Sequence, residues 1–235
     1  MSSAIIVMSF IKFRVFTMKI KYFLSWSLLL APILIVSTSV LAKVGITQNI
    51  ESVEVTHLGE KVVIQRSQDA DHKIGGGYDK TSRQCPPFCI QPNHITEGLE
   101  TVAELEVLNY LKDNNAIVID SRTPNWLARG TIPGTINIPW TKINKTQQQA
   151  WSEEMEVESI DNILQQYFSV KNENGVLDFS NAKTLVVFCN GAWCGQSVNF
   201  IKTLINNGYP VKKLKWYRGG MQAWESFGLT TVKPK

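Results

Sequence analysis

From Thr101 onward, apolar positions fall into alternating helix-like and strand-like stretches. Val102, Leu105, Leu108 and Leu111 recur at helical spacing and predict a helix, with Thr101 and Glu104 spaced as a capping box at its start. Residues 116–119 form a short apolar strand closing on Asp120. A helix of one or two turns is expected over residues 126–128, then a strand over 135–138. Thr184–Phe188 is another apolar strand, and Val198, Ile201, Leu204 and Ile205 carry a helix that stops at Gly208. A strand over residues 213–217 and a helix from Gly220 complete the series, with Trp216 and Trp224 as expected core. Strands alternating with helices predict an α/β fold, a parallel sheet with helices on both faces.

The flanking segments read differently. Residues 43–95 form a small irregular extension with two expected strands, Ser52–His57 and 61–65, turning at Leu58-Gly59-Glu60. Gly75-Gly76-Gly77 breaks the chain, and the Pro-rich stretch around Cys85-Pro86-Pro87-Phe88-Cys89 excludes a helix. Within the main domain, residues 96–235, an acidic and glutamine-rich insertion spans 141–181. It holds one expected amphipathic helix with Met155, Ile160, Ile163 and Leu164. No internal repeat is visible.

Charge changes the picture only at the N-terminus. The net charge is +4, yet Lys12, Arg14, Lys19 and Lys21 fall within residues 1–42, which hold no acidic residue. Without them 20 basic side chains face 20 acidic ones, so nothing argues for a nucleic-acid surface. Lys19 and Lys21, the apolar run 22–36 and the small residues 37–42 read as an export signal ending at Val40-Leu41-Ala42, with Met18 a natural start. The alternative is an uncleaved anchor, since residues 22–42 are long enough to span a bilayer. Either way the expected location is outside the cytoplasm: periplasmic or secreted, or membrane-anchored and facing outward.

Candidate chemistry centres on Cys189. It follows an apolar strand and opens a loop containing Gly191 and Gly195 before a helix. Converging backbone N–H groups and a helix N-terminus there favour thiolate over thiol and hold an anion beside the sulfur. A buried structural cysteine is the plainer alternative. Cys194 is a second thiol in the same loop. Cys85 and Cys89 form another close pair, read as a local disulfide or a redox-active couple. Zinc would need two further ligands and His94 offers one at most, so no metal is expected.

Val118-Ile119-Asp120-Ser121-Arg122, then Gly130-Thr131-Ile132-Pro133-Gly134-Thr135-Ile136-Asn137-Ile138-Pro139, the strand–Cys189–loop–helix unit and Tyr217-Arg218-Gly219-Gly220-Met221-Gln222-Ala223-Trp224 arrive in order over residues 99–230. Together they resemble the single-domain rhodaneses, here an exported subgroup with a Cys-Pro-Pro-Phe-Cys lead-in. The resemblance implies a sulfurtransferase without a cofactor. Cys189 takes sulfane sulfur from a small donor, carries it as a persulfide, and passes it to a thiol, cyanide or a partner protein. Asn190, Gly191, Ala192, Trp193 and Cys194 match the loop whose N–H groups hold the outer sulfur.

The loop lacks the basic residue many relatives carry, which weakens the case for thiosulfate, and Thr131 stands where a histidine is common. Related phosphatases need an arginine six residues after the cysteine, and position 195 is Gly195. Asp120, Arg122 and Arg218 are supporting candidates, read as loop braces before substrate contacts. Two other function classes stand beside sulfur transfer: a thiol–disulfide protein cycling Cys189 and Cys194, and a non-catalytic binding domain. Membrane contact is expected only for an uncleaved N-terminal segment.

Overall fold

The structure, a computed structural model, describes residues 43–144 and 159–234. The expected export signal and Met155 of the insertion helix lie outside the described residues. Nine strands run through the described chain: β1 Ser52–His57, β2 Glu60–Gln65, β3 Glu100–Val102, β4 Ala116–Asp120, β5 Ile136–Asn137, β6 Lys171–Glu173, β7 Val176–Asp178, β8 Thr184–Phe188 and β9 Leu214–Tyr217. Six helices accompany them: α1 Glu104–Tyr110, α2 Pro124–Leu127, α3 Trp140–Ile143, α4 Ile160–Phe168, α5 Gln196–Asn206 and α6 Gly220–Ser226. No helix among the described residues is long and apolar enough to cross a membrane.

The main sheet has the order β3-β9-β8-β4-β5, and every pairing in it is parallel. β8 lies at its centre, with Leu185 to Phe188 fully buried, which is why that strand is a continuous apolar run. Alternate side chains leave the sheet on opposite faces. Ile119, Leu185, Val187, Leu214 and Trp216 pack against Ile163, Leu164 and Phe168 of α4 and Phe200, Ile201 and Leu204 of α5. Val118, Val186, Phe188 and Tyr217 take the other face with Val107 and Leu108 of α1 and Met221 and Trp224 of α6.

Val53, Val55 and Ile64 of the β1–β2 hairpin join this second core, as does Tyr78. The extension is thus packed into the same compact unit, and Thr230 tethers it by hydrogen bonds with Gln65.

The start of the first helix differs from expectation. Thr101 and Val102 belong to edge strand β3, paired with Trp216 and Tyr217, so Thr101 does not cap a helix. The N-cap is Ala103, whose N–H donates to Glu106 at 3.0 Å, and Val107 and Leu108 form the buried face while Leu105 is exposed. In the insertion, α4 buries Ile163 and Leu164, and an unforeseen hairpin, β6–β7, follows it.

Among the described glycines the most tightly enclosed is Gly220, at the start of α6. A Cβ there would lie 2.3 Å from the Cys189 carbonyl oxygen and 2.9 Å from the Gly191 nitrogen, and its φ is +53°. This contact lets the N–H groups of Met221 and Gln222 donate to the carbonyls of Cys189 and Asn190 at 3.0 and 2.9 Å. Gly220→Ala should therefore cost about 2 kcal/mol or more, read as a lower urea midpoint. Gly175→Ala, on the β6–β7 turn with a φ of +86° and open space around it, should cost only about 1 kcal/mol. Equal losses would show that crowding against the Cys189 loop is not what excludes a side chain.

Candidate functional site

Cys189 sits at the carboxyl end of the central strand β8, where parallel sheets place their ligand sites. The chain turns through residues 190–194, with the Cys194 N–H donating to the Gly191 carbonyl at 2.9 Å, and enters α5 at Gln196. Cys189 is 2 % exposed and Cys194 5 %. Both are free thiols, while Cys85 and Cys89 form a disulfide.

Three groups surround the Cys189 sulfur. The Ser197 hydroxyl is 3.0 Å away, the Cys194 carbonyl accepts from the thiol at 3.2 Å, and the Cys194 side chain favours the charged form from nearby. Burial is the largest influence on Cys189 and opposes its ionisation. The Cys194 thiol, the Ser197 hydroxyl and the N–H groups of Ser197 and Gly191 outweigh burial and bring the thiol down to about 7. Cys194 moves the opposite way: burial and the neighbouring Cys189 sulfur hold its thiol well above the ordinary value. One sulfur ionises and the other keeps its proton.

Ser197 is oriented from behind. The indole N–H of Trp216, on β9, donates to the Ser197 hydroxyl oxygen at 3.0 Å. With that lone pair occupied, the hydroxyl proton is left to point at Cys189. Neither Ser197 nor the polar role of Trp216 is visible in the sequence, where one reads as helix and the other as core.

Asp120 and Arg122 are fully buried and joined at 2.5 Å. Arg122 also donates to Tyr78 Oη at 2.7 Å, to the Gly130 carbonyl at 2.7 Å and to the Trp126 carbonyl at 3.2 Å. Thr131 donates to Asp120 at 2.7 Å from the place where a histidine was the familiar residue. Tyr78, its hydroxyl pushed up to about 12 chiefly by burial, donates a hydrogen bond to Asn190 Oδ1 at 3.0 Å. The pair thus braces the loop through Tyr78 and does not touch Cys189.

The lead-in lies along the loop's outer side. The Gln91 N–H donates to the Ala192 carbonyl at 2.7 Å, and Arg218 Nη2 donates to the Gln91 carbonyl at 2.8 Å. The Arg83 guanidinium lies 4.3 Å from the Trp193 ring centre, with Phe88 and Trp126 beside it. Trp193 is further fixed by donating to Gln222 Oε1 at 2.7 Å. Arg83 and Arg218 each keep one buried Nε–H without an acceptor, and neither pairs with a carboxylate among the described residues. Two guanidinium groups thus lie along the loop's outer side, Arg83 against Trp193 and Arg218 against Gln91. No group of three or more His, Cys, Asp and Glu among the described residues is arranged to hold a metal.

Removing a donor from the thiolate must raise the pH at which it forms. In Ser197→Ala the ultraviolet thiolate signal of Cys189, taken as the difference from Cys189→Ser, should move upward from near 7 by about one unit or more. Trp216→Phe should move it the same way by less. A midpoint unchanged in Ser197→Ala would mean that the backbone N–H groups and Cys194 set it without the hydroxyl.

The comparisons agree with this arrangement at the level of family. The family model described as a rhodanese-like domain matches residues 104–227. Among solved structures, the human single-domain sulfurtransferase TSTD1 is 24% identical, with 54% of this chain and 95% of that one covered and a TM-score of 0.34. The 3-mercaptopyruvate sulfotransferase SseA from Escherichia coli is also 24% identical, over 53% of this chain and 43% of that one, with a TM-score of 0.35. A rhodanese-related protein from Thermoplasma volcanium is 18% identical, covering 57% and 97%, with a TM-score of 0.35. No curated protein matches the chain. With identities and scores this low the assignment rests on the family match, which covers more than half of the sequence: the chain belongs to the rhodanese-like domain family.

Proposed function

We propose that this protein is an exported sulfurtransferase that carries sulfane sulfur as a persulfide on Cys189. The observation that carries the reading is the Cys189 sulfur itself: a buried thiol at the end of the central strand that ionises near neutrality because hydrogen-bond donors converge on it. A thiolate in that position attacks the outer sulfur of a donor, and the same donors then hold the terminal sulfur of the persulfide. Arg83 and Arg218 put positive charge at the rim, so small anionic donors such as thiosulfate fall within the proposed class. A small thiol, cyanide or a partner protein is the acceptor. Export is supported by the N-terminal signal pattern and by the Cys85–Cys89 disulfide, which persists in oxidising compartments.

Incubation with thiosulfate followed by intact-mass measurement tests the chemistry. In Cys194→Ser, where no second thiol shares the loop, one sulfur atom should be gained on Cys189. Cys189→Ser should gain none and should lose turnover to cyanide by about a thousandfold or more. Full turnover in Cys189→Ser would sink the assignment.

Processing is tested separately, on protein from the native host. Its N-terminus is expected at Lys43, following Ala42. A mature form that retains residues 22–42 and partitions with membranes would establish an anchor instead.

A further inference from the structure

Each of the two sulfurs in the loop ends its own chain of buried donors. Trp216 and Ser197 lead to Cys189. The second chain starts at the Asp120–Arg122 pair and runs through Tyr78 to Asn190 Oδ1. Because Tyr78 donates to that oxygen, the Asn190 amide is turned so that its Nδ2 faces Cys194, and it donates to the Cys194 sulfur at 3.5 Å. Asn190 and Arg122 are fully buried, and Tyr78 is 2 % exposed. A cysteine retained only as packing needs no donor aimed at its sulfur. An amide N–H so placed stabilises negative charge as it develops on Cys194. The Cys189 sulfur lies 3.2 Å from the Cys194 carbonyl oxygen, so the loop folds the two cysteines against each other in one buried site.

We propose that Cys194 is a resolving thiol, which attacks the Cys189 sulfur of the persulfide and releases the carried sulfur as sulfide. This rests on the sulfurtransferase reading and extends it to a further activity, sulfane-sulfur reduction. The bond between Cys189 Sγ and the carried sulfur breaks, and a Cys189–Cys194 disulfide forms. The carried sulfur leaves with the bonding electron pair and takes up the Cys194 proton, so persulfide and thiol become disulfide and hydrogen sulfide. Cys194 is oxidised, the carried sulfur is reduced, and Cys189 stays at the disulfide level. No outside oxidant is consumed. An external dithiol then returns the pair to thiols by exchange, which makes a dithiol reductant the second substrate of the full cycle.

Cys194 must lose its proton during the attack. The leaving sulfide is the nearest acceptor, and the Asn190 amide compensates the charge left behind. The other ionisable groups nearby lie farther along the relays: Tyr78 and the Asp120–Arg122 pair behind Asn190, and the Tyr217 hydroxyl, which donates to Glu104 at 2.8 Å away from the loop. For the disulfide to form, the loop must bring the two sulfurs to bonding distance, about 2 Å.

A single-turnover measurement on the full chain decides this. Protein reduced and freed of reductant is mixed with one equivalent of thiosulfate, with no thiol or cyanide present. Sulfide and intact mass are then followed. Wild type should release about one sulfide per chain and end two hydrogens lighter, while Cys194→Ser and Cys194→Ala should release none and stay one sulfur heavier. Wild type that holds the added sulfur and releases no sulfide overturns the inference and leaves the sulfurtransferase reading intact. Failure of wild type and both variants to take up sulfur overturns that reading and this one together.

Discussion

Much of this molecule depends on a single buried ion pair. Asp120 and Arg122 have no exposed surface, and the arrangement is sustainable because every donor of the guanidinium is used. Nε and Nη2 meet the two Asp120 oxygens, Nη2 also reaches the Gly130 carbonyl, and Nη1 divides between Tyr78 and the Trp126 carbonyl. Stripping one partner from such a pair costs about 3–5 kcal/mol, because it strands a charge out of water. Besides Asp120, the contacts that satisfy Arg122 come from the extension, helix α2 and the approach to β5. One cation thus obliges three separate segments to converge beside the Cys189 loop.

The loop inherits its order from that convergence and from α6. Carbonyls of Cys189 and Asn190 are held by N–H groups of Met221 and Gln222, which leaves the loop's own N–H groups turned inward. The lead-in then fixes the outer side through Gln91, Phe88 and Arg83. Two chemically identical side chains five residues apart end up with opposite preferences for a proton. Cys189 receives a hydroxyl, a thiol and backbone donors, whereas Cys194 faces the negative sulfur of its neighbour. Location relative to fixed dipoles, not residue type, decides which of the two ionises more readily.

The alternation of strands and helices, the central buried strand and the cysteine at its end were all legible, because each has a local signature. Edge strand β3 was not, since Thr101 and Glu104 have the spacing of a capping box and only pairing with β9 reveals the strand. Hairpin β6–β7 is three residues a side and largely exposed, so it carries no periodicity to detect. Site residues divide along the same line. The loop could be read from its own sequence, but Tyr78 acts on Asn190 across 112 positions, and Gln91 reaches Ala192 across a similar gap. Ser197 gave no local signal either, because it is the second residue of the helix after the loop and only the turn of that loop brings its hydroxyl to Cys189. Trp216 and Arg83 carried no such signal, because an indole in an apolar strand reads as core and an arginine before prolines reads as solvent-exposed.

A closed disulfide and an open dithiol coexist within one small region. Cys85 is exposed and joined to Cys89 over a short turn, while Cys189 and Cys194 are buried behind the lead-in that this disulfide staples. The outer pair is a closed structural link, whereas the inner pair keeps both thiols free. The staple also limits the freedom of the segment that presents Phe88 and Arg83 to Trp193. In the proposed reading the outer pair therefore has a structural task, and only the inner pair changes oxidation state during turnover. The lead-in is thus held by one disulfide on its outer side and by Gln91, Phe88 and Arg83 on the side that meets the Cys189 loop.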